Sequence, residues 1–132
     1  HTYFRLGAIE KAQLLGLQGL PFVDTLPNGR AATDARAALT VDGEVDRVYR
    51  NAPDRLELND SDRALKVSIE KNGLPDFVVW NPWIDKAKRI EDFDDEEYRD
   101  MLCVETGQIA SPIRLEPSRP WSCGTGFQIV RR

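Results

Sequence analysis

Apolar and polar positions alternate with a period of two along much of the chain. Leu65, Val67 and Ile69 alternate with Lys66, Ser68 and Glu70; Leu56 and Leu58 alternate with Arg55 and Glu57; Thr2, Phe4 and Leu6 oppose His1, Tyr3 and Arg5. Successive side chains of an extended strand point to opposite faces, so this period predicts half-buried antiparallel strands. Phe77-Val78-Val79-Trp80 and Leu102-Cys103-Val104 are apolar at every position, which predicts strands covered on both faces. Gly and Pro punctuate the whole length, from Gly7 and Gly16 through Pro53 and Gly73 to Pro117 and Pro120, and the segments between them have strand length. A layered all-β structure follows. Two stretches read differently. Ala31 to Leu39 is Ala-rich and helix-prone by propensity. Glu91 to Asp100 carries seven acids in ten residues and predicts a solvated connection with a helical turn or two at most.

The chain has 132 residues, 41% apolar and 30% charged, which bounds one domain or part of one with enough apolar material for a packed core. A net charge of -4 and a pI near 5.0 argue against a binder of phosphate backbones, which concentrates Lys and Arg on one face, so no nucleic-acid partner is expected. The strongest apolar run, Phe77 to Trp80, is four residues long, against roughly 18 needed to span a bilayer. No membrane partner is expected. The opening His-Thr-Tyr-Phe-Arg-Leu-Gly has neither a basic segment followed by an apolar one nor an initiating Met, which suggests that upstream residues have been removed or omitted. Two cysteines, Cys103 and Cys123, fit reduced thiols in the cytoplasm better than a secreted disulfide scaffold.

Most catalytic chemistries find no support. One histidine and two distant cysteines fall short of a zinc site, and the acidic segment lacks the Gly and Glu that a calcium loop needs at its sixth and twelfth positions, so no metal is expected. Gly124-Thr125-Gly126 lacks the third Gly and the surrounding βαβ unit of a dinucleotide loop. No Gly-x-Ser-x-Gly elbow is present. What remains is acid and base chemistry from one His and many carboxylates.

Five blocks carry a resemblance: His1-Thr2-Tyr3-Phe4; Asp42-Gly43-Glu44-Val45-Asp46-Arg47-Val48-Tyr49; Val79-Trp80-Asn81-Pro82-Trp83; Asp92-Phe93-Asp94-Asp95-Glu96-Glu97-Tyr98; and Cys103-Val104-Glu105. In this order the set resembles the hexose-6-phosphate mutarotases, the glucose-6-phosphate 1-epimerase and apospory-associated protein C group of the aldose 1-epimerase superfamily. The resemblance implies an all-β, galactose-mutarotase-like β-supersandwich, of which residues 1–132 would be the C-terminal half. The N-terminal half, with the arginines that hold the sugar phosphate, would be absent from this chain and would be its partner. The implied activity is an isomerase that interconverts the α and β anomers of a hexose 6-phosphate, without a cofactor, and is inactive as the isolated piece. A non-catalytic sugar-binding or partner-binding module on the same fold is the alternative.

The family mechanism maps onto three positions. By resemblance, His1 is the acid, Glu105 the base and Asp46 a ligand for a sugar hydroxyl. A carboxylate removes the anomeric proton while an imidazolium protonates the ring oxygen, opening the ring to an aldehyde. The residues agree in part: on a strand, Glu105 shares a face with Met101 and Cys103 and leaves Leu102 and Val104 for the opposite core. Trp80, Asn81 and Trp83 read as core and turn, with an aromatic sugar platform as the sharper use.

Overall fold

The computed structural model describes residues 1–131. Among them, eleven strands form two antiparallel sheets. The first sheet holds β1 (Tyr3–Arg5), β3 (Pro21–Asp24), β4 (Ala31–Thr33), β6 (Val45–Tyr49), β9 (Asp76–Asn81) and β10 (Met101–Gly107) in the order β1-β10-β9-β6-β3-β4. The second holds β2 (Ala12–Leu15), β5 (Ala38–Leu39), β7 (Arg55–Asp60), β8 (Leu65–Asn72) and β11 (Gly124–Arg131) in the order β11-β8-β7-β2-β5. One short helix, α1 (Trp83–Ala87), and 3-10 turns at Ile9–Lys11 and Glu97–Asp100 complete the described elements.

The period of two becomes the core. Leu14, Leu56, Leu58 and Ile69 from the second sheet meet Tyr49, Phe77, Val79, Leu102 and Val104 from the first in one buried cluster. Leu56 stands opposite Ile69 and Leu58 opposite Val67, so the apolar positions of β7 and β8 fall on one face together. A slip of one residue would turn every one of them outward. At roughly 1.5–3 kcal/mol for each fully buried side chain of this size, that cost fixes the register.

Full burial on both faces holds for Leu102, Cys103 and Val104. It holds only on one face of β9, where Phe77 and Val79 are buried but Val78 and Trp80 are half-exposed. The open side carries the candidate site described below.

The helix-prone stretch Ala31 to Leu39 forms no helix. Ala31 and Ala32 pair with Val23 and Phe22, and Ala38 pairs with Leu15, so the stretch is split between the two sheets. Between β4 and β5 lies buried Asp34, which accepts hydrogen bonds from the Tyr49 hydroxyl (2.9 Å), Arg47 Nη1 (3.3 Å) and the Arg36 backbone N–H (3.2 Å). Burial raises the Asp34 pKa, but the bonds from Arg36 and Tyr49 outweigh it and hold the carboxyl below its usual range. Burial likewise pushes the Tyr49 phenol up to about 12. These tertiary bonds override a propensity worth only tenths of a kcal/mol per residue, ~0.7 at most.

The acidic connection contains a single 3-10 turn, Glu97–Asp100, whose Tyr98 is buried against Trp83 with ring centroids 5.3 Å apart. Helix α1 follows directly from β9, and the corner between them is held by Asn81. Its fully buried amide donates to the carbonyls of Tyr98 (2.8 Å) and Met101 (2.9 Å) and accepts the Trp83 backbone N–H (2.9 Å). Trp83 has φ +57°, a left-handed conformation that costs a bulky residue about 1–3 kcal/mol and is kept only by such surroundings. Asn81→Ala leaves two carbonyls and one N–H unpaired, so we expect it to destabilise the full-length protein by about 2–4 kcal/mol in urea unfolding. A loss below about 0.5 kcal/mol would show that the corner holds without the amide.

Candidate active site

Strand pairing gathers the candidate residues on the face of the first sheet that points away from the core. Tyr3 stands opposite Cys103, Cys103 opposite Trp80, and Trp80 opposite Asp46, so one transverse row crosses β1, β10, β9 and β6. Directly opposed residues share a face. The neighbouring row begins with Glu105, opposite Val78, which in turn stands opposite Val48. The Val104 backbone N–H donates to the Thr2 carbonyl (3.1 Å), which extends the pairing of β1 with β10 and brings His1 alongside Glu105.

His1 Nδ1 lies 3.1 Å from Glu105 Oε1. The imidazole side chain is 82% exposed and the carboxylate 16%, so the carboxylate is the fixed member of the pair. Cys103, two residues earlier on the same face, donates its thiol to the same Oε1 over 3.2 Å. Burial, then the hydrogen bond and charge of Glu105, push the Cys103 thiol far above its ordinary pKa. Burial raises the Tyr3 phenol as well, with smaller contributions from Cys103 and Glu105.

Trp80 separates this pair from Asp46. Its ring is fixed edge-on between Tyr3 (centroids 6.0 Å) and Phe93 (6.2 Å). Lys86, from α1, places Nζ 5.9 Å from the Trp80 centroid, 3.2 Å from Glu44 Oε1 and 4.0 Å from Asp46 Oδ2. The three residues named from the sequence therefore share one open face: His1 and Glu105 are in contact, and Asp46 lies two strands away across Trp80.

Sequence reasoning put Cys103 on the face of Glu105 without giving it a role, and it did not assign Tyr3 or Lys86 to this neighbourhood. Tyr3 and Cys103 had a usable signal, since each is two residues from a named candidate and so shares its face. Lys86 had none, because it arrives from a helix that the pattern does not announce. A cleft of about 550 Å³ adjoins the row at Tyr3, lined by Arg5, Arg99 and four carboxylates, Asp94, Glu96, Glu97 and Asp100. It contains none of His1, Glu105 or Asp46, and both arginines are already paired, Arg5 with Asp100 and Arg99 with Glu96. A surplus of carboxylate makes it a poor seat for a phosphate. Among the described residues no group of three or more His, Cys, Asp or Glu is placed to hold a metal ion, and no helix is long and apolar enough to cross a membrane.

The two packed antiparallel sheets place the chain among the mutarotase-like β-sandwiches. The fold matches a crystal structure from Salmonella typhimurium described as a "putative mutarotase", with a TM-score of 0.92 at 23% identity, over 100% of this chain and 44% of that one. The chain belongs to the aldose 1-epimerase family, whose model matches residues 1–128. It is 40% identical, over 92% of its length, to a protein of Cenchrus ciliaris named "Putative glucose-6-phosphate 1-epimerase". A protein of the same name from Escherichia coli is 26% identical over the whole chain. The chain spans less than half the length of these curated relatives, 37% and 45% respectively.

Proposed function

We propose that the full-length protein interconverts the α and β anomers of a hexose 6-phosphate by acid and base catalysis, with Glu105 as base, His1 as acid and Asp46 as a hydroxyl ligand. The observation that carries this reading is the contact of His1 Nδ1 with Glu105 Oε1 at 3.1 Å on an open sheet face, beside an aromatic ring. An imidazole and a carboxylate are the two groups that a hemiacetal needs. Glu105 takes the proton of the anomeric hydroxyl, the bond from C1 to the ring oxygen breaks, and the ring oxygen takes a proton from the His1 imidazolium. Rotation about C1–C2 presents the other face of the aldehyde. Reclosure then returns both protons, so nothing is oxidised and no cofactor takes part.

The hemiacetal must enter between the two groups, so their 3.1 Å contact opens when the sugar binds. The Trp80 ring, one strand from Glu105 and one from Asp46, is where the apolar face of a pyranose rests. Basic residues for the phosphate belong to the remainder of the protein, in keeping with the acid-rich cleft beside Tyr3. That remainder is the partner we propose for the open edges of both sheets. Two unpaired thiols, Cys103 and Cys123, support a reducing compartment such as the cytoplasm.

The test is to follow freshly dissolved α-glucose 6-phosphate and α-glucose by polarimetry with the full-length protein. We expect faster approach to equilibrium for the phosphorylated sugar. Binding of either sugar without acceleration would replace catalysis by a sugar-binding role.

A further inference from the structure

We propose that Cys103 is a positioning residue for Glu105: its thiol holds Oε1 of the carboxylate and leaves Oε2 as the oxygen that receives the anomeric proton. This rests on the anomer-exchange reading above. The Sγ of Cys103 lies 3.2 Å from Oε1, the oxygen that also faces His1 Nδ1 at 3.1 Å. Among the described residues no hydrogen bond reaches Oε2. One carboxylate oxygen is thus committed to the protein and the other is free for substrate.

The holder is itself held. Cys103 is 0% exposed, and its backbone is paired on both sides, with Tyr3 on β1 and with Trp80 on β9. Burial keeps the thiol protonated far above neutrality, which makes it a constant donor rather than a nucleophile or an oxidisable thiolate. The titratable neighbours of the pair are few. The segment entering β1 contributes the His1 imidazole, β1 itself the Tyr3 phenol, and β6 contributes Asp46, whose charge reaches Cys103. On β9 the residue opposite Glu105 is Val78, and the next acid on that face, Asp76, is turned to the backbone N–H groups of Asn51, Ile109 and Ala110.

In the full-length protein, Cys103→Ala removes the donor and Cys103→Ser restores one in nearly the same volume. For Ala we expect kcat of anomer exchange to fall about three- to tenfold with KM little changed, the size of effect that loose placement of a catalytic group produces. The carbon-13 shift of the Glu105 carboxyl at one fixed pH, assigned with Glu105→Gln, should change in Ala, because a hydrogen bond to Oε1 is lost. Ser should return both kcat and that shift toward wild type. An Ala variant with wild-type kcat and a wild-type carboxyl shift overturns the proposal, and so does equal impairment by Ala and Ser, which would assign the effect to lost packing. If the wild type accelerates no anomer exchange, the functional reading fails separately, while the carboxyl shift still reports whether the thiol holds Oε1.

Discussion

Glu105→Gln in the full-length protein is expected to lower the rate of anomer exchange by about 10²- to 10⁴-fold, the contribution of a positioned general base. The amide has the shape of the carboxylate and still offers an oxygen to the Cys103 thiol at the present 3.2 Å, so fold and sugar binding should persist. What disappears is the capacity to accept a proton near neutral pH. The loss should therefore fall on kcat, with KM within about threefold of wild type, as for an interaction made in the transition state alone. Saturation kinetics with the purified variant measure both. Retention of more than about a tenth of the wild-type kcat would remove Glu105 from the base role.

The isolated 132-residue chain is expected to self-associate. The first sheet ends on β1 and the second on β11, and contact between Phe4 and Phe127, with centroids 5.5 Å apart, puts these two edges on the same side of the sandwich. Phe127 and Ile129 stand opposite buried Ile69 and Val67, in the apolar rows of β8, yet they are 47% and 65% exposed. An eight-residue edge strand that is exposed throughout, with unpaired backbone and uncovered apolar side chains, is a template for pairing with another chain. Light scattering after size exclusion should show oligomers whose proportion grows with concentration. Ile129→Lys, which puts a charge on that strand, should reduce it. A monodisperse monomer with a sharp cooperative melt would show that these edges need no cover.

Leu56, Leu58, Val67 and Ile69 were legible because half-burial imposes a period of two that survives in one dimension. The same rule correctly put Glu105 on the face opposite Leu102 and Val104. Ala31 to Leu39 misled because its decisive contacts, Asp34 with Arg47 and Tyr49, lie 13 and 15 residues away and leave no local trace. Helix α1 is five residues long, too short to show a helical period, and it starts from a left-handed Trp83 that propensity disfavours. The site was partly legible. Resemblance supplied His1, Glu105 and Asp46, but only long-range register sets Asp46 beside Trp80 and Trp80 beside Cys103. Register joins segments more than 20 residues apart, and no window along the chain contains it.

Selective-inversion NMR on equilibrated glucose 6-phosphate reads anomer exchange by the full-length protein, because inverted magnetisation passes between the α and β anomeric protons only as fast as the ring opens and closes. Exchange well above the buffer rate, in proportion to protein concentration and with no added metal or cofactor, is expected. Exchange equal to buffer alone, from folded protein that binds the sugar phosphate, would rule out catalysis of this step.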